Sequence, residues 1–232
     1  MMQKKINPPG FNLSAGRTVQ GIVFDLDGVL FDTEPLHREA WNNALEEMGM
    51  EVSSEELMSW TGVPCQQVSA ELEERWKGRY SRDEYYNLKD KHFVQIINSR
   101  DSLFHGLAEF LETLSARLPI AVATASSRGN VEMMLSNSGI AGFFKAVVCY
   151  EDVVKHKPDP EVYLKASRLI DVEPGNCIAL DDSPAGCSSA LSAGIYTLGI
   201  TSTYSSSVLD MADGIFPSTV GACRWILESF DS

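Results

Sequence analysis

Two acids, Asp25 and Asp27, lie at the end of a short apolar run and precede a glycine. The run from Gly21 to Leu26 is typical of a buried strand, and residues two apart in an extended segment face the same side. Both carboxylates are therefore expected to point out of the strand end together. One carboxylate can attack phosphorus, while the other protonates the leaving oxygen and later deprotonates the water that hydrolyses the acyl phosphate. On its own, the D-x-D-G pattern also fits an Asx turn that leads to Gly28.

A hydroxyl residue ends a second apolar run. Thr124 follows Ile120 to Ala123, and Ala125 and Ser126 come next, just before a predicted helix. The hydroxyl and the backbone N–H groups of such a turn could hold a phosphoryl oxygen. These three residues are therefore candidates for binding phosphate, although Thr124 could instead cap the helix.

A lysine precedes a later predicted helix. Lys157 lies in the segment His156 to Tyr163, where Pro158 and Pro160 fix a turn ahead of the helix. In that place its ammonium could neutralise charge on a transferring phosphoryl group. The alternative is a solvated lysine without a catalytic role.

An acid pair, Asp181 and Asp182, closes another apolar run, Cys177 to Leu180. Two acids at a strand end are electrostatically costly beside Asp25 and Asp27 unless a cation compensates them. Only oxygen ligands are offered, so magnesium fits this group better than zinc or copper.

The elements that must position these residues alternate between strand and helix. Such alternation predicts an α/β fold with a parallel sheet, in which ligands collect beyond the carboxyl ends of the strands. The later predicted strands are Ile120 to Ala123, Ala146 to Cys149, Cys177 to Leu180 and Ile195 to Ile200. The predicted helices that separate the strands are Gly106 to Arg117, Arg128 to Asn137, Pro160 to Ile170 and Pro184 to Ala193.

A block of residues from 33 to 103 breaks this alternation and has helical patterns only. We expect it to be an all-helical cap inserted into a Rossmann-like catalytic core formed by residues 20–32 and 104–232. Its predicted helices are Pro35 to Met48, Glu55 to Trp60, Gln66 to Trp76 and Arg82 to Asn98. Residues 1–19 are expected to be a flexible tail, with a targeting presequence as the alternative.

The chain is acidic, with 19 Lys and Arg against 32 Asp and Glu among its 232 residues and a formal net charge of −13. Such a charge repels polyanions, so nucleic acids and anionic membrane surfaces are not expected as partners. A small phosphorylated metabolite needs only local donors and a cation, and it remains a suitable partner. No apolar stretch approaches the roughly 18 residues that a membrane span needs.

The cysteines lie far apart, without a C-x-x-C pair or zinc-ligand spacing. Buried, reduced thiols fit a reducing cytosol, so a cytoplasmic location is expected, although the odd count also allows one reactive thiol. The oligomeric state stays open. The five are Cys65, Cys149, Cys177, Cys187 and Cys223.

Four motifs each follow a separate predicted strand, in the order D-x-D-G, Thr, Lys-Pro and Asp-Asp. This order resembles that of the haloacid dehalogenase superfamily. From about Gly21 to Glu228 the chain looks like its β-phosphoglucomutase-like and sugar-phosphatase branch. The resemblance implies a phosphate-binding role for Thr124 and Lys157. It further implies that Asp25 is the nucleophile and Asp27 the general acid and base, with the Asp27 main-chain carbonyl on the metal.

For the acid pair, the resemblance implies that Asp182 is a direct magnesium ligand and that Asp181 supports the metal directly or through water. In the cap, Thr33 and His37 lie in a segment that resembles the entry of both mutases and sugar phosphatases. We expect them, with Lys89, to bind substrate, although Lys89 could be a solvated helix charge. Trp41, in the same segment, is expected in the core.

One position departs from the mutase pattern. Mutases of this branch carry a phosphate-gripping arginine after a Gly-Val pair, whereas this chain has Cys65 at the matching place. Without a bidentate arginine there, simple hydrolysis is favoured over isomerisation of a hexose phosphate. The expectation is a magnesium-dependent phosphatase acting on a small metabolite, such as a sugar phosphate, through an aspartyl phosphate. A phosphosugar mutase, a phosphoaspartate receiver module and a dehalogenase are the alternatives.

Overall fold

The computed structural model describes residues 19–230. Residues 1–18 of the expected flexible tail lie outside this range. The described residues form two compact units: the segment Thr33–Ser102, and a second unit that combines residues up to Asp32 with those from Leu103 onward. Among the described residues, no helix combines the length and apolar character needed to cross a membrane.

The second unit is built on a six-stranded parallel sheet with the strand order β3-β2-β1-β4-β5-β6. This confirms the α/β fold class. The order differs from the 2-1-3-4-5 order of receiver-type modules, so the receiver alternative is wrong. The strands are β1 (Gly21–Phe24), β2 (Ile120–Ala123), β3 (Ala146–Val148), β4 (Cys177–Asp181), β5 (Tyr196–Ile200) and β6 (Gly214–Phe216).

Helices of this unit cover the sheet, and α7 and α8 contribute to an apolar cluster on one face. Val23 belongs to that cluster together with Ala121, Tyr163 and Ala190. Because side chains alternate along a strand, the neighbours of Val23 in β1 point to the other face. The helices are α5 (Leu107–Arg117), α6 (Arg128–Asn137), α7 (Glu161–Leu169), α8 (Pro184–Ser192) and α9 (Thr219–Phe230), of which α5 packs on α9.

The segment Thr33–Ser102 is helical throughout its regular structure. Its helices are α1 (Glu34–Glu47), α2 (Ser54–Ser59), α3 (Cys65–Arg75) and α4 (Arg82–Ser99). Both α1 and α3 pack on α4 around a cluster that includes Trp41, Leu72 and Tyr85. A capping box between Ser81 and Glu84 fixes the start of α4. Trp41 is buried, as expected for a core residue.

Candidate active site

Asp25 lies at the carboxyl end of the central strand, between β2 and β4, where the strand order reverses. Its backbone N–H donates to the carbonyl oxygen of Leu180 at 2.9 Å, which continues the β1–β4 ladder by one residue. The side chain is buried, with 7% of the residue exposed. The sheet therefore presents a carboxylate at the point where open α/β sheets bind ligands.

Lys157 links this carboxylate to a second one. Its Nζ donates to Asp25 Oδ1 at 2.7 Å and to Asp181 Oδ2 at 2.8 Å. Its side chain is only 8% exposed, so the alternative of a solvated lysine is wrong. Burial alone would lower the pKa of Lys157, but the attraction of Asp181 and Asp25 outweighs it and raises the pKa above its ordinary value. The lysine is therefore a fixed positive charge within the site.

Asp181 is held by hydrogen bonds at both carboxylate oxygens. Besides the lysine, Tyr163 Oη donates to Oδ2 at 2.6 Å, and the N–H and hydroxyl of Ser183 both donate to Oδ1 at 2.9 Å. The backbone of Gly186 also packs closely against this carboxylate, since a Cβ added at Gly186 would lie 1.9 Å from Asp181 Oδ2. Asp181 is thus anchored to the protein, with its orientation set by these donors.

Asp182 has a different environment. It is buried, and burial followed by the charges of Asp181 and Asp25 raises its pKa well above the ordinary value. The Thr203 hydroxyl lowers the pKa by hydrogen bonding, while Ser202 Oγ donates to the carbonyl oxygen of Gly28 and lies 3.4 Å from Asp182 Oδ2. Gly28, with φ of 70°, lies so close that a Cβ there would be 1.9 Å from Oδ2. The turn after β1 thus needs glycine both for its backbone conformation and for room beside the carboxylate.

Asp25, Asp181 and Asp182 together form a cluster of buried carboxylates. One ligand oxygen from each lies within 4.8 Å of the others. Burial, together with the charges of Asp181 and Asp27, raises the pKa of Asp25 to about 7 despite the opposing effect of Lys157. The atoms that this cluster offers to a metal are oxygens only. Its three carboxylates carry more negative charge than Lys157, the lysine that bonds two of them, can neutralise. These residues therefore fit a hard divalent cation such as Mg²⁺.

Asp27 and the turn after β2 come together beside this cluster. Ser126 Oγ donates to Asp27 Oδ2 at 2.5 Å, and the Ser126 N–H donates to Thr124 Oγ1 at 3.0 Å. Thr124 is buried, and the N-cap residue of α6 is Ser127, so the capping alternative for Thr124 is wrong. Ala125 is exposed between them. The sheet thus brings both turns to one edge.

The residues expected to bind substrate from the helical segment lie in two places within it. The Nζ of the buried Lys89 donates to His37 Nδ1 at 2.8 Å and lies 4.4 Å from the ring centre of Phe93. The alternative of a solvated Lys89 is wrong. Thr33, at the N-cap of α1, is fully buried, and its hydroxyl has no hydrogen-bond partner among residues 19–230. Cys65 begins α3 and is partly exposed as a free thiol.

Sequence reasoning missed four residues of the core site: Tyr163, Ser183, Ser202 and Thr203. Ser183 directly follows the acid pair and is the N-cap of α8, so the cap pattern could have indicated it. Tyr163 is part of an ordinary apolar helix face. Ser202 and Thr203 reach Asp182 from the loop after β5, and no spacing in the sequence signals that contact.

Among relatives, the chain is 32% identical to validoxylamine A 7'-phosphate phosphatase of Streptomyces hygroscopicus subsp. limoneus over 88% of this chain and 95% of that protein. It is 28% identical to fructose-1-phosphate phosphatase YqaB of Escherichia coli strain K12, over 75% and 93% of the respective chains. Among solved structures, β-phosphoglucomutase from Clostridium difficile superimposes with a TM-score of 0.75 at 23% identity, over 92% of this chain and 98% of that one. At this identity the superposition establishes the fold.

A family model described as haloacid dehalogenase-like hydrolase matches residues 22–200. The matched segment contains every acid of the core site together with Thr124 and Lys157. It also spans the whole helical segment between β1 and β2. The resemblance of the four motifs is thereby confirmed, and the chain belongs to the haloacid dehalogenase-like hydrolase family.

Proposed function

We propose that this hydrolase is a magnesium-dependent phosphatase that removes phosphate from a small phosphorylated metabolite, such as a sugar phosphate, through an aspartyl phosphate on Asp25. The observation that supports the proposal most directly is the Lys157 ammonium, 2.7 Å from Asp25 Oδ1 and 2.8 Å from Asp181 Oδ2. A lysine held in this way keeps one nucleophile oxygen fixed and places a positive charge where an anionic phosphoryl group would approach. The second Asp25 oxygen is then the one that attacks phosphorus.

The reaction would proceed in two steps. Asp25 forms a bond to phosphorus as the bond to the leaving oxygen breaks, and Asp27 gives its proton to that oxygen. A water then attacks phosphorus, Asp27 takes its proton, and the bond to Asp25 breaks. The Thr124 oxygen accepts the Ser126 N–H at 3.0 Å, which leaves the hydroxyl proton to donate to a phosphoryl oxygen. The exposed turn at Ala125 offers a backbone N–H for the same purpose.

Mg²⁺ would be held by Asp25, the main-chain carbonyl of Asp27, and Asp182. Asp181 would support the site through its contact with Lys157, because its oxygens already accept hydrogen bonds from Lys157, Tyr163 and Ser183. When bound, the cation supplies positive charge that offsets the buried carboxylates and the phosphoryl oxygens.

Thr33, His37 and Lys89 are the residues we propose for substrate contacts from the helical segment. Lys89 is 3% exposed, and its closest contacts are an imidazole nitrogen and an aromatic ring. Neither carries a negative charge, so the ammonium is suited to attract an anionic or hydroxyl-rich ligand. The relative that acts on fructose 1-phosphate supports a sugar phosphate as the ligand.

The test is a phosphate-release assay over a panel of phosphorylated metabolites with Mg²⁺ present. We expect release from sugar phosphates by the wild type and none by Asp25→Asn. Lys89→Met should raise KM for the best sugar phosphate, whereas Lys91→Met, on the exposed side of the same helix, should not. Activity above a few per cent of wild type in Asp25→Asn would rule out the nucleophile.

A phosphosugar mutase is the alternative, and one assay separates it from a phosphatase. β-Glucose 1-phosphate with a trace of glucose 1,6-bisphosphate yields glucose 6-phosphate with a mutase and free phosphate with a phosphatase. We expect free phosphate, because Cys65 stands where the mutase branch has its arginine. Rapid glucose 6-phosphate formation with little free phosphate would establish the mutase instead.

A further inference from the structure

A serine hydroxyl from a neighbouring turn holds the Asp27 carboxylate. Ser126 Oγ donates to Asp27 Oδ2 at 2.5 Å, at the short end of the range for a hydroxyl bonded to a carboxylate. The two residues are 99 positions apart in the chain and meet because β1 and β2 are adjacent and parallel, with Phe24 opposite Val122. The contact therefore depends on the register of the central strands.

Ser126 is itself fixed on both sides. Its N–H donates to Thr124 Oγ1 at 3.0 Å, and its carbonyl oxygen accepts the N–H of Tyr150 at 3.1 Å. The first bond closes the turn after β2, and the second ties that turn to the segment after β3. With its N–H and its hydroxyl both engaged within the protein, Ser126 is poorly suited to the direct phosphate contact that the sequence predicted for it.

We propose that Ser126 is a positioning residue that fixes the Asp27 carboxylate for proton transfer. This inference rests on the proposed function, in which Asp27 protonates the leaving oxygen and then deprotonates the attacking water. A carboxylate on a turn rotates about two side-chain bonds, and a rigidly mounted donor on Oδ2 restricts it to one orientation. If Asp27 gives and takes its proton at Oδ1, the hydrogen bond from Ser126 to Oδ2 stays intact throughout the reaction.

The leaving group distinguishes this role from substrate binding. An alkoxide leaving from a sugar phosphate needs a proton from Asp27, whereas p-nitrophenolate leaves without one. In single turnovers with enzyme in excess, Ser126→Ala should slow sugar release about 10- to 100-fold, a part of the 10²- to 10⁴-fold that general acid catalysis contributes. Release of p-nitrophenolate from p-nitrophenyl phosphate should stay within about twofold of wild type, because Asp25 and Lys157 are untouched.

Two further variants serve as controls. Ser126→Thr keeps the hydroxyl and should recover most of the sugar-release rate. Ser127→Ala removes the next serine, whose side chain makes no capping hydrogen bond at the start of α6, and should keep wild-type rates. Thermal melting of each variant shows whether the fold is retained.

Three outcomes would overturn the proposal. Wild-type sugar release by Ser126→Ala would show that the serine bond does not matter. An equal loss with both substrates would assign Ser126 to the phosphoryl group or to the fold, and a raised KM at unchanged rate would assign it to substrate binding. If the wild type releases no phosphate from any substrate with Mg²⁺, the proposed function fails first, before any variant is compared.

Discussion

Asp25→Asn should abolish turnover and at the same time stabilise the metal-free protein. Burial, Asp181 and Asp27 raise the pKa of Asp25 from 3.8 to about 7, so the folded protein keeps a proton that the unfolded chain has released. Between about pH 4 and pH 7 the unfolded state therefore binds fewer protons than the native state. The free energy of unfolding must then fall as pH rises across this window.

The magnitude follows from the same pKa difference. A pKa of about 7 instead of 3.8, at 1.36 kcal/mol for each pKa unit, corresponds to about 4 kcal/mol above pH 7. The amide of Asn has the same shape and no charge to bury, so Asp25→Asn avoids this cost. At roughly 2–4 °C per kcal/mol for a chain of this size, we expect Tm to rise by up to about 15 °C at pH 8. The gain should shrink towards zero at pH 4.

Thermal melting with chelator at pH 4, 6 and 8 measures this effect. A second series with excess Mg²⁺ should reduce the difference in Tm between Asp25→Asn and wild type, because the cation offsets the Asp25 charge. Asp32→Asn is the matched control, since Asp32 is an exposed acid close in sequence. It should change Tm little at any pH. An Asp25→Asn variant that melts at or below the wild-type temperature at pH 8, or a gain independent of pH, would refute the reasoning.

Other expected outcomes follow from the same geometry. Tyr163→Phe removes a 2.6 Å donor from buried Asp181 and should cost about 1.5–3 kcal/mol in urea unfolding, with a lower kcat; unchanged stability would count against the anchor. Gly28→Ala should raise the Mg²⁺ concentration for half-maximal activity at least tenfold, because its Cβ would meet Asp182 Oδ2. Gly194→Ala, at φ of 79° with open space around it, should carry only the backbone penalty. If Gly194→Ala and Gly28→Ala changed the Mg²⁺ requirement equally, the contact between residue 28 and Asp182 would not be the cause. In Mg²⁺ titrations of activity, Asp182→Ala should weaken apparent affinity more than Asp181→Ala, and the reverse order would exchange the roles of the two acids.

Much of the fold was predictable because each strand of the central sheet is an apolar run followed by a polar turn. β2 matches its predicted bounds, and β1 and β4 differ from theirs by one or two residues. The sixth strand, Gly214–Phe216, was missed because three residues show no measurable alternation. Helix α9 was also not predicted, although its apolar residues recur at helical spacing.

The site, like the fold, was predictable in part from the sequence. Acids and a lysine at strand ends can be recognised by residue type and by position in the sequence. Asp25, Asp182 and Lys157 could therefore be singled out from the sequence. The donors that orient them could not, because a hydroxyl contact such as that of Tyr163 with Asp181 depends on how α7 packs on the sheet. The Ser126–Asp27 bond likewise requires the β1–β2 register, and the sequence contains no separate signal for it.

The two glycines beside the acid pair bear on whether this site can be transferred to another scaffold. A Cβ at Gly28 or at Gly186 would lie 1.9 Å from a carboxylate oxygen of Asp182 or Asp181, respectively. A designer who copied only the charged residues onto a different parallel sheet would leave no room for them, since every residue other than glycine has a Cβ. The smallest transferable set therefore includes two residues that contribute no functional group and are needed for the space they leave.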